Sequence, residues 1–400
     1  MNQKRFIPIL IVLMLAVGFT GGFYYRDYRV PEPVLSNLIN REASQPNGVD
    51  FSLFWNVWEL LHDRYVERNT LNTQELVYGA INGMVNAAGD PYTVFFKPKE
   101  SEEFQQQING SFGGIGIEIG LRKNILTVIA PIKDTPAARA GLLAGDKILK
   151  IDDKSTEGMK IDEAVGTIRG PRGTNVTLTI ARDGLEKAKE ITMTRDTIKI
   201  PAIDWKMLDE NIAYIEMFVF NKNVDDEFKK AAEEILKSKA TKIILDVRNN
   251  PGGLLDSAVN IAGYFLDSDK VVTIERFGDG KENEFRTQPN GLLKNYPLIV
   301  LINKGSASAS EILAGALKDN RGILVVGETS FGKGSVQEVD DLPKKASVKI
   351  TIAKWFTPKG ASIHENGIKP DVEVVISEED TKNEKDTQLD KARELIKNLR

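Results

Sequence analysis

The sequence predicts an α/β domain that receives an inserted, strand-dominated module and follows a helical N-terminal region. Three observations carry this reading. From about residue 195 onward, continuous apolar strands such as "TKIILDVR" and "LIVLIN" alternate with helical segments, the pattern of a sheet covered on both faces. Residues 109–194 follow a different rhythm, short strands set off by glycine turns. Ahead of both lie two helical segments within residues 49–108, one of them with aromatic residues at helical spacing.

Composition narrows the chemistry. A chain of 400 residues with 41% hydrophobic content can bury more than one core. The balance of 53 basic and 57 acidic residues, without a long basic run, argues against a nucleic-acid partner. There is no cysteine and the only histidines are His62 and His364, so thiolate catalysis, disulfides and Cys- or His-rich metal sites fall away. Hydroxyls, carboxylates, lysines and backbone amides remain, and no metal or cofactor is expected.

Residues 1–5 end in Lys4 and Arg5, and residues 6–25, "FIPILIVLMLAVGFTGGFYY", are uncharged and long enough to cross a bilayer as a helix. The basic flank stays in the cytoplasm, which places the rest of the chain outside the cell membrane on a single-pass anchor. The run lacks an A-x-A cleavage site, so an uncleaved anchor is preferred to a signal peptide. Residues 26–48 read as a polar, proline-containing linker. In "FSLFWNVWELLHDRYV", Phe51, Phe54, Trp55, Trp58, Leu61 and Tyr65 share one helix face, a stripe suited to a core or a helix–helix contact. A second helix ends at Gly89, Asp90 and Pro91.

In the module over 109–194, "GGIGIEIG" and "NILTVIAPI" read as strands, Pro136 opens a short helix that Gly141 stops, and a Gly145–Asp146 turn leads to a further strand. "KIDEAVGTIRG" is a helix and "NVTLTIARDG" a strand. This order, centred on "PAARAGLLAGDKIL", closely resembles a bacterial PDZ domain. The α/β domain occupies 195–376, and the charged tail over 377–400 carries a helical patch, "LDKARELIKNL".

Two stretches of the α/β domain bear chemistry. "GETSFGKGSVQ" nearly matches a phosphate-binding loop, but Gly334 stands where a metal-binding hydroxyl must follow Lys333, and a strand rather than a helix comes next. "NKGSASASEILAGAL" sets Ser306, Ser308 and Ser310 directly after a buried strand. A serine there either caps the helix or presents its hydroxyl beside free amides, as an acyl-transfer nucleophile must. His364 sits in a loop-like segment poorly suited to a base. Lys333 can serve instead if burial disfavours its ammonium form, and its glycine neighbours let the backbone approach closely.

Four segments, "GMVNAAGDPYTVFF", the PDZ-like module, "LDVRNNPGG", and "GSASASE" with "GKGSVQ", resemble the carboxy-terminal processing peptidases in order and over most of residues 50–375. The resemblance implies a crotonase-like α/β serine protease core with Ser308 as nucleophile, Lys333 as base and Gln337 positioning the lysine. Backbone amides of Ala309 and of Gly252 or Gly253 then meet the oxyanion. In "FGGIGIEI", the amides around Gly114, Ile115, Gly116 and Ile117 are expected to cradle a substrate C-terminus, with an extended peptide added to the adjoining strand. Arg169 is a candidate link between the module and the protease body. The expectation is a membrane-anchored endopeptidase acting on protein tails and assembled as a homodimer through the aromatic helix and the late helix. A non-catalytic peptide-binding scaffold and a crotonase-like acyl-CoA enzyme are the competing readings.

Overall fold

The computed structural model describes residues 49–399, apart from 123, 124, 133, 183, 184, 378, 381, 382 and 384. The expected anchor over 6–25 and linker over 26–48 lie outside the described residues. Among the described residues, no helix is long and apolar enough to cross a membrane. The chain divides into two units, residues 1–83 and 84–400.

The first unit holds α1 (Ser52–Arg64) and most of α2 (Thr73–Asn86), joined by a single turn of 3₁₀ helix. Along α1 the aromatic stripe forms as its spacing predicts: Phe54 meets Trp55 edge-on at 4.8 Å and Trp58 stacks on His62 at 5.1 Å. His62 is engaged within its own helix, its Nδ1 donating to Trp58 O at 2.9 Å. Trp58 is buried, but Leu53, Val57 and Val66 are exposed, and the stripe lines an apolar groove of about 510 Å³ with Leu76 and Ala80.

The second unit opens with β1 (Val94–Phe96) and α3 (Pro98–Asn109). Pro98 takes the first helical position, where its missing N–H leaves nothing unpaired, and Lys97 N–H donates to the Glu100 carboxylate at 3.0 Å. β2 (Ser111–Gly114) leads into the inserted module: β3 (Ile117–Arg122), β4 (Ile125–Pro131), α4 (Pro136–Arg139), β5 (Lys147–Ile151), β6 (Lys154–Ser155), α5 (Ile161–Ile168), β7 (Asn175–Ala181) and β8 (Lys189–Thr194). Its sheet runs β3-β4-β5-β7-β8 around a core that includes Val128, Ile148, Val176 and Leu178. The Gly145–Asp146 turn is pinned because the buried Asp146 carboxylate accepts from Leu143 N–H at 2.9 Å and from Arg182 Nε at 2.6 Å. β9 (Asp196–Lys199) leads out and pairs antiparallel with β2 as a two-stranded ribbon.

The remaining chain supplies β10 (Ile203–Leu208), β11 (Ile212–Met217), α6 (Val224–Lys237), β12 (Lys242–Asp246), α7 (Leu255–Phe265), β13 (Val271–Phe277), β14 (Glu282–Arg286), β15 (Leu298–Ile302), α8 (Ala309–Arg321), β16 (Leu324–Gly327), β17 (Ser335–Asp341), β18 (Ser347–Phe356), β19 (Val372–Glu373) and α9 (Thr387–Lys397). One sheet has the order β10-β11-β12-β15-β16-β19, parallel except at β10. Both faces are covered, as the unbroken apolar strands predict. Ala213, Ile215, Leu245 and Val300 pack in one cluster with residues of α6, α7 and α8. Their neighbours Tyr214, Ile244, Ile299 and Leu301 pack in another with Ala392 and Ile396 of α9.

That second cluster corrects the expectation for the late helix: its apolar face is covered by the chain's own sheet and is not left over for a partner. Arg248 fastens it, donating to Asp386 at 2.8 and 2.7 Å and to the buried Asp246. A second sheet stands beside the first in sequence but not in pattern. β18 takes β17 along one edge and β1 and then β13 along the other, with β14 beyond β13.

Candidate active site

The strand β15 is buried throughout, and the turn that follows it is pinned by two serines. Ser306 Oγ donates to Val247 O at 2.7 Å and Ser310 Oγ to Asn250 O at 3.0 Å, and both residues are fully buried. Ser308 between them is half-buried and has φ of 56° and ψ of −115°. A side-chain-bearing residue rarely takes this conformation, and it persists here because its two neighbours over-determine the turn. Ala309 begins α8, so its N–H has no acceptor within the helix.

Glu311, one turn into α8, is fully buried and gathers four donors. Its Oε1 accepts from Ser330 Oγ and Gly332 N–H, both at 2.6 Å, and its Oε2 from Ser308 N–H at 2.8 Å and Lys333 N–H at 3.0 Å. Burial pushes the Glu311 carboxyl above its ordinary range, and these hydrogen bonds pull against that shift. The loop that resembles a phosphate cradle is thus wrapped around a carboxylate of its own chain. Gly334 is required there for a different reason: a Cβ would collide with the backbone of His364.

Lys333 is half-buried, with Nζ 5.5 Å from the centre of the Tyr92 ring. Burial holds its ammonium below the ordinary lysine range, the charge of Lys349 adds to this, and Glu311 opposes it. Ser308, Ala309, Gly252, Gly253, Lys333 and Gln337 all line one cavity of about 580 Å³. Phe104, Ile108, Val219, Leu254 and Trp355 make its apolar walls, and Lys349 and Glu275 also open onto it. His364 is not part of this lining. Among the described residues, no hydrogen bond joins Ser308 Oγ to Lys333 Nζ, and Gln337 Nε2 is turned to Ser335 Oγ at 2.6 Å. No group of three His, Asp or Glu among the described residues is arranged to hold a metal ion.

The "NNPGG" turn distinguishes its two glycines. Gly252 N–H donates to Asn250 Oδ1 at 2.9 Å and is occupied. Phe220 bridges Gly253 in parallel, donating to Gly252 O and accepting from Leu254 N–H, so the Gly253 N–H faces away from Phe220 and meets no acceptor among the described residues. Gly253 has φ of 141°, and a Cβ would run into Phe220 O.

In the inserted module, Gly114, Ile115, Gly116, Ile117, Val165 and Arg169 line a groove of about 130 Å³ between β3 and α5. Among the described residues the N–H groups of Ile115 and Gly116 meet no acceptor, while their carbonyls take Ala137 N–H and Ile132 N–H. Arg169 lies with its guanidinium 4.1 Å from the centre of the Phe112 ring in β2, so its contact is with the ribbon at the module's edge, not with the α/β core. Arg195, which sequence reasoning passes over, holds the C-terminus of α5 by donating to Ile168 O at 2.8 Å and Thr167 O at 3.0 Å. Glu311 also goes unassigned by that reasoning, although Ser308-x-x-Glu311 is a capping-box signature. Lys349 carries no local signal, since strand pairing alone brings it here.

Residues 211–374 match the family model described as Peptidase family S41, residues 127–182 that of a PDZ domain, and residues 16–100 that of the activating protease CtpB N-terminal domain. The carboxy-terminal-processing protease of Bartonella bacilliformis is 37% identical over 345 residues, covering 85% of this chain and 79% of that one. Carboxy-terminal processing protease CtpB of Bacillus subtilis is 37% identical over 381 residues, covering 94% and 78%. A solved Bacteroides fragilis protein described as an S41 protease shares the fold, with a TM-score of 0.52 and 14% identity over 82% of this chain and 91% of that one. The chain therefore belongs to peptidase family S41, as a carboxy-terminal processing serine protease that carries a PDZ domain.

Proposed function

We propose that the protein is a membrane-anchored endopeptidase that cleaves extracytoplasmic proteins near their C-termini with Ser308 and Lys333. The observation that carries this reading is the convergence of a strained, half-buried serine and a desolvated lysine on one cavity that also holds unoccupied amides. Lys333 as a neutral amine takes the Ser308 Oγ proton while Oγ attacks the scissile carbonyl. The oxyanion is met by the N–H groups of Ala309 and Gly253. Gly252 supports this indirectly, since its amide braces the turn through Asn250. Lys333 then gives the proton to the leaving amine, and a water deprotonated by the same lysine releases the acyl group from Ser308.

Gln337 is proposed to hold the lysine once it leaves Ser335. That no hydrogen bond joins Ser308 Oγ to Lys333 Nζ among the described residues supports a reading in which a bound tail brings the pair into line. The tail's carboxylate is received by the Ile115 and Gly116 amides, and its chain adds to β3. A ligand that binds better to the aligned arrangement shifts the balance by that difference in affinity. The anchor over residues 6–25 places this activity at the outer face of the cell membrane. The exposed apolar groove along α1 is proposed as the contact of a homodimer.

The test is cleavage of an unfolded protein by the detergent-solubilised full chain, comparing wild type with Ser308→Ala. Loss of cleavage with an unchanged melting profile is expected. Cleavage by the alanine variant overturns the nucleophile assignment.

A further inference from the structure

The active-site cavity holds a second lysine. Lys349 lies on β18 opposite Val94 of β1 and Val339 of β17. On the same pair of strands Gln337 faces Thr351, so Lys349 and Gln337 are diagonal neighbours on one sheet face, within reach of long side chains. Its Nζ is 5.6 Å from the centre of the Phe96 ring and 5.5 Å from that of Phe104, and these two rings are themselves stacked at 5.0 Å. Neither Lys333 nor Lys349 makes an ion pair within 4.0 Å among the described residues.

We propose that Lys349 is a positioning residue for charge: its ammonium, seated on the Phe96 and Phe104 faces, keeps the proton of the lysine pair away from Lys333, so that Lys333 stands ready as the amine. The inference rests on the reading of Lys333 as the base. Two ammonium groups that share one partly buried cavity repel, and the pair releases its first proton more easily than an isolated lysine does.

Which lysine keeps the remaining proton is decided by its surroundings. Lys349 has two aromatic faces, which favour a cation, and the attraction of Asp90, whose carboxylate is fixed by Thr93 Oγ1 at 2.6 Å and Tyr92 N–H at 3.1 Å. Lys333 faces the Tyr92 ring from the β1 side and Glu311 from α8, and the Glu311 charge is already spread over four donors. Glu365 lies close enough to act on Tyr92, His364 abuts Gly334 through its backbone, and Glu275 opens onto the cavity from β13. Burial pushes both lysines below the ordinary range, and Lys349 acts on Lys333 in the same direction.

The test is the pH dependence of kcat/KM for a tailed peptide, measured on the detergent-solubilised full chain, whose acidic limb reports the free enzyme's base. Lys349→Gln is expected to move that limb upward by about 1 pH unit, so that activity near neutrality falls about tenfold and recovers in alkaline solution. Lys349→Arg, which keeps the charge, should leave the limb in place. Lys349→Met retains the stem over the rings and serves as a second neutral variant should the glutamine form not fold. An unshifted limb in the neutral variants, with a uniform loss of rate or a raised KM alone, overturns the proposal and leaves Lys349 a structural or substrate-binding group. Lys333→Ala separates this from the underlying reading. Activity in that variant removes the base assignment, whereas an inactive alanine form with an unshifted Lys349→Gln limb removes only the role of Lys349.

Discussion

Ser308 and Lys333 meet through their backbones: both N–H groups donate to one oxygen, Glu311 Oε2, at 2.8 and 3.0 Å. One buried carboxylate therefore ties together the backbones that carry the proposed nucleophile and base. Glu311→Gln keeps the shape but turns an NH₂ group toward donors, and should destabilise the fold by roughly 2–3 kcal/mol because buried N–H groups lose their acceptor. It should also lower kcat about 100-fold through misplacement of the pair. Thermal unfolding together with kcat measured at fixed pH checks both effects, and a stable, fully active glutamine variant would contradict this view of the site.

The three serines should separate by role. Ser308→Ala is expected to abolish turnover without loss of stability. Ser306→Ala and Ser310→Ala each remove a buried hydrogen bond to a backbone carbonyl and should cost about 1 kcal/mol while retaining cleavage. Denaturant midpoints and turnover on the three variants would show it.

For Lys333 the sign of the pH effect follows from its surroundings. Its folded-state pKa is lowered by burial and then by Lys349, with Glu311 opposing, from an ordinary value of 10.5. Between the lowered value and 10.5 the unfolded chain binds more protons, so this residue's contribution to stability rises with pH in that window and is lost as pH falls through the folded-state pKa. Lys333→Met should thus melt higher than wild type near neutrality, with the gap closing in alkali, while activity drops about 100- to 10,000-fold. Calorimetry across the pH range would reveal a constant gap if the lysine were an ordinary solvated one.

Gly116 has φ of 75°, and a Cβ there would collide with the Thr135 side chain. Gly116→Phe should therefore disturb the loop whose amides are proposed to receive a peptide carboxylate. Tail-peptide binding, read by fluorescence anisotropy, is expected to weaken at least tenfold, and cleavage of tailed substrates to slow with it. Undiminished cleavage despite lost tail binding would show that the module does not control the site.

The parts of this protein that sequence made legible are those built from neighbours. A buried strand followed by small residues announces the Ser308 turn, and the glycines flanking Lys333 announce a close backbone approach. Glu311 could be read as a helix cap, but its bonds to Gly332 and Lys333 depend on how two distant segments fold together. β18 alternates plainly, yet nothing local says that its partners are β1, β13 and β17, and so nothing local brings Lys349 to Lys333. The late helix shows the same limit: its apolar stripe was visible, but nothing local says that Ala392 and Ile396 pack on the chain's own sheet. Gly252 and Gly253 look equivalent in the sequence, and only the Asn250 side chain makes them different.

The ribbon of β2 and β9 has a consequence for how the chain is assembled. Ile200 N–H donates to Gly110 O at 2.9 Å, so the points where the module departs and returns lie side by side. A detour of almost ninety residues thus opens no gap in the path from α3 to β10. Joining those points by a tight turn would cost little closure entropy. In architectural terms the module is a pendant: its entry and exit share a single junction, so its length or identity can change there without rerouting the chain between α3 and β10.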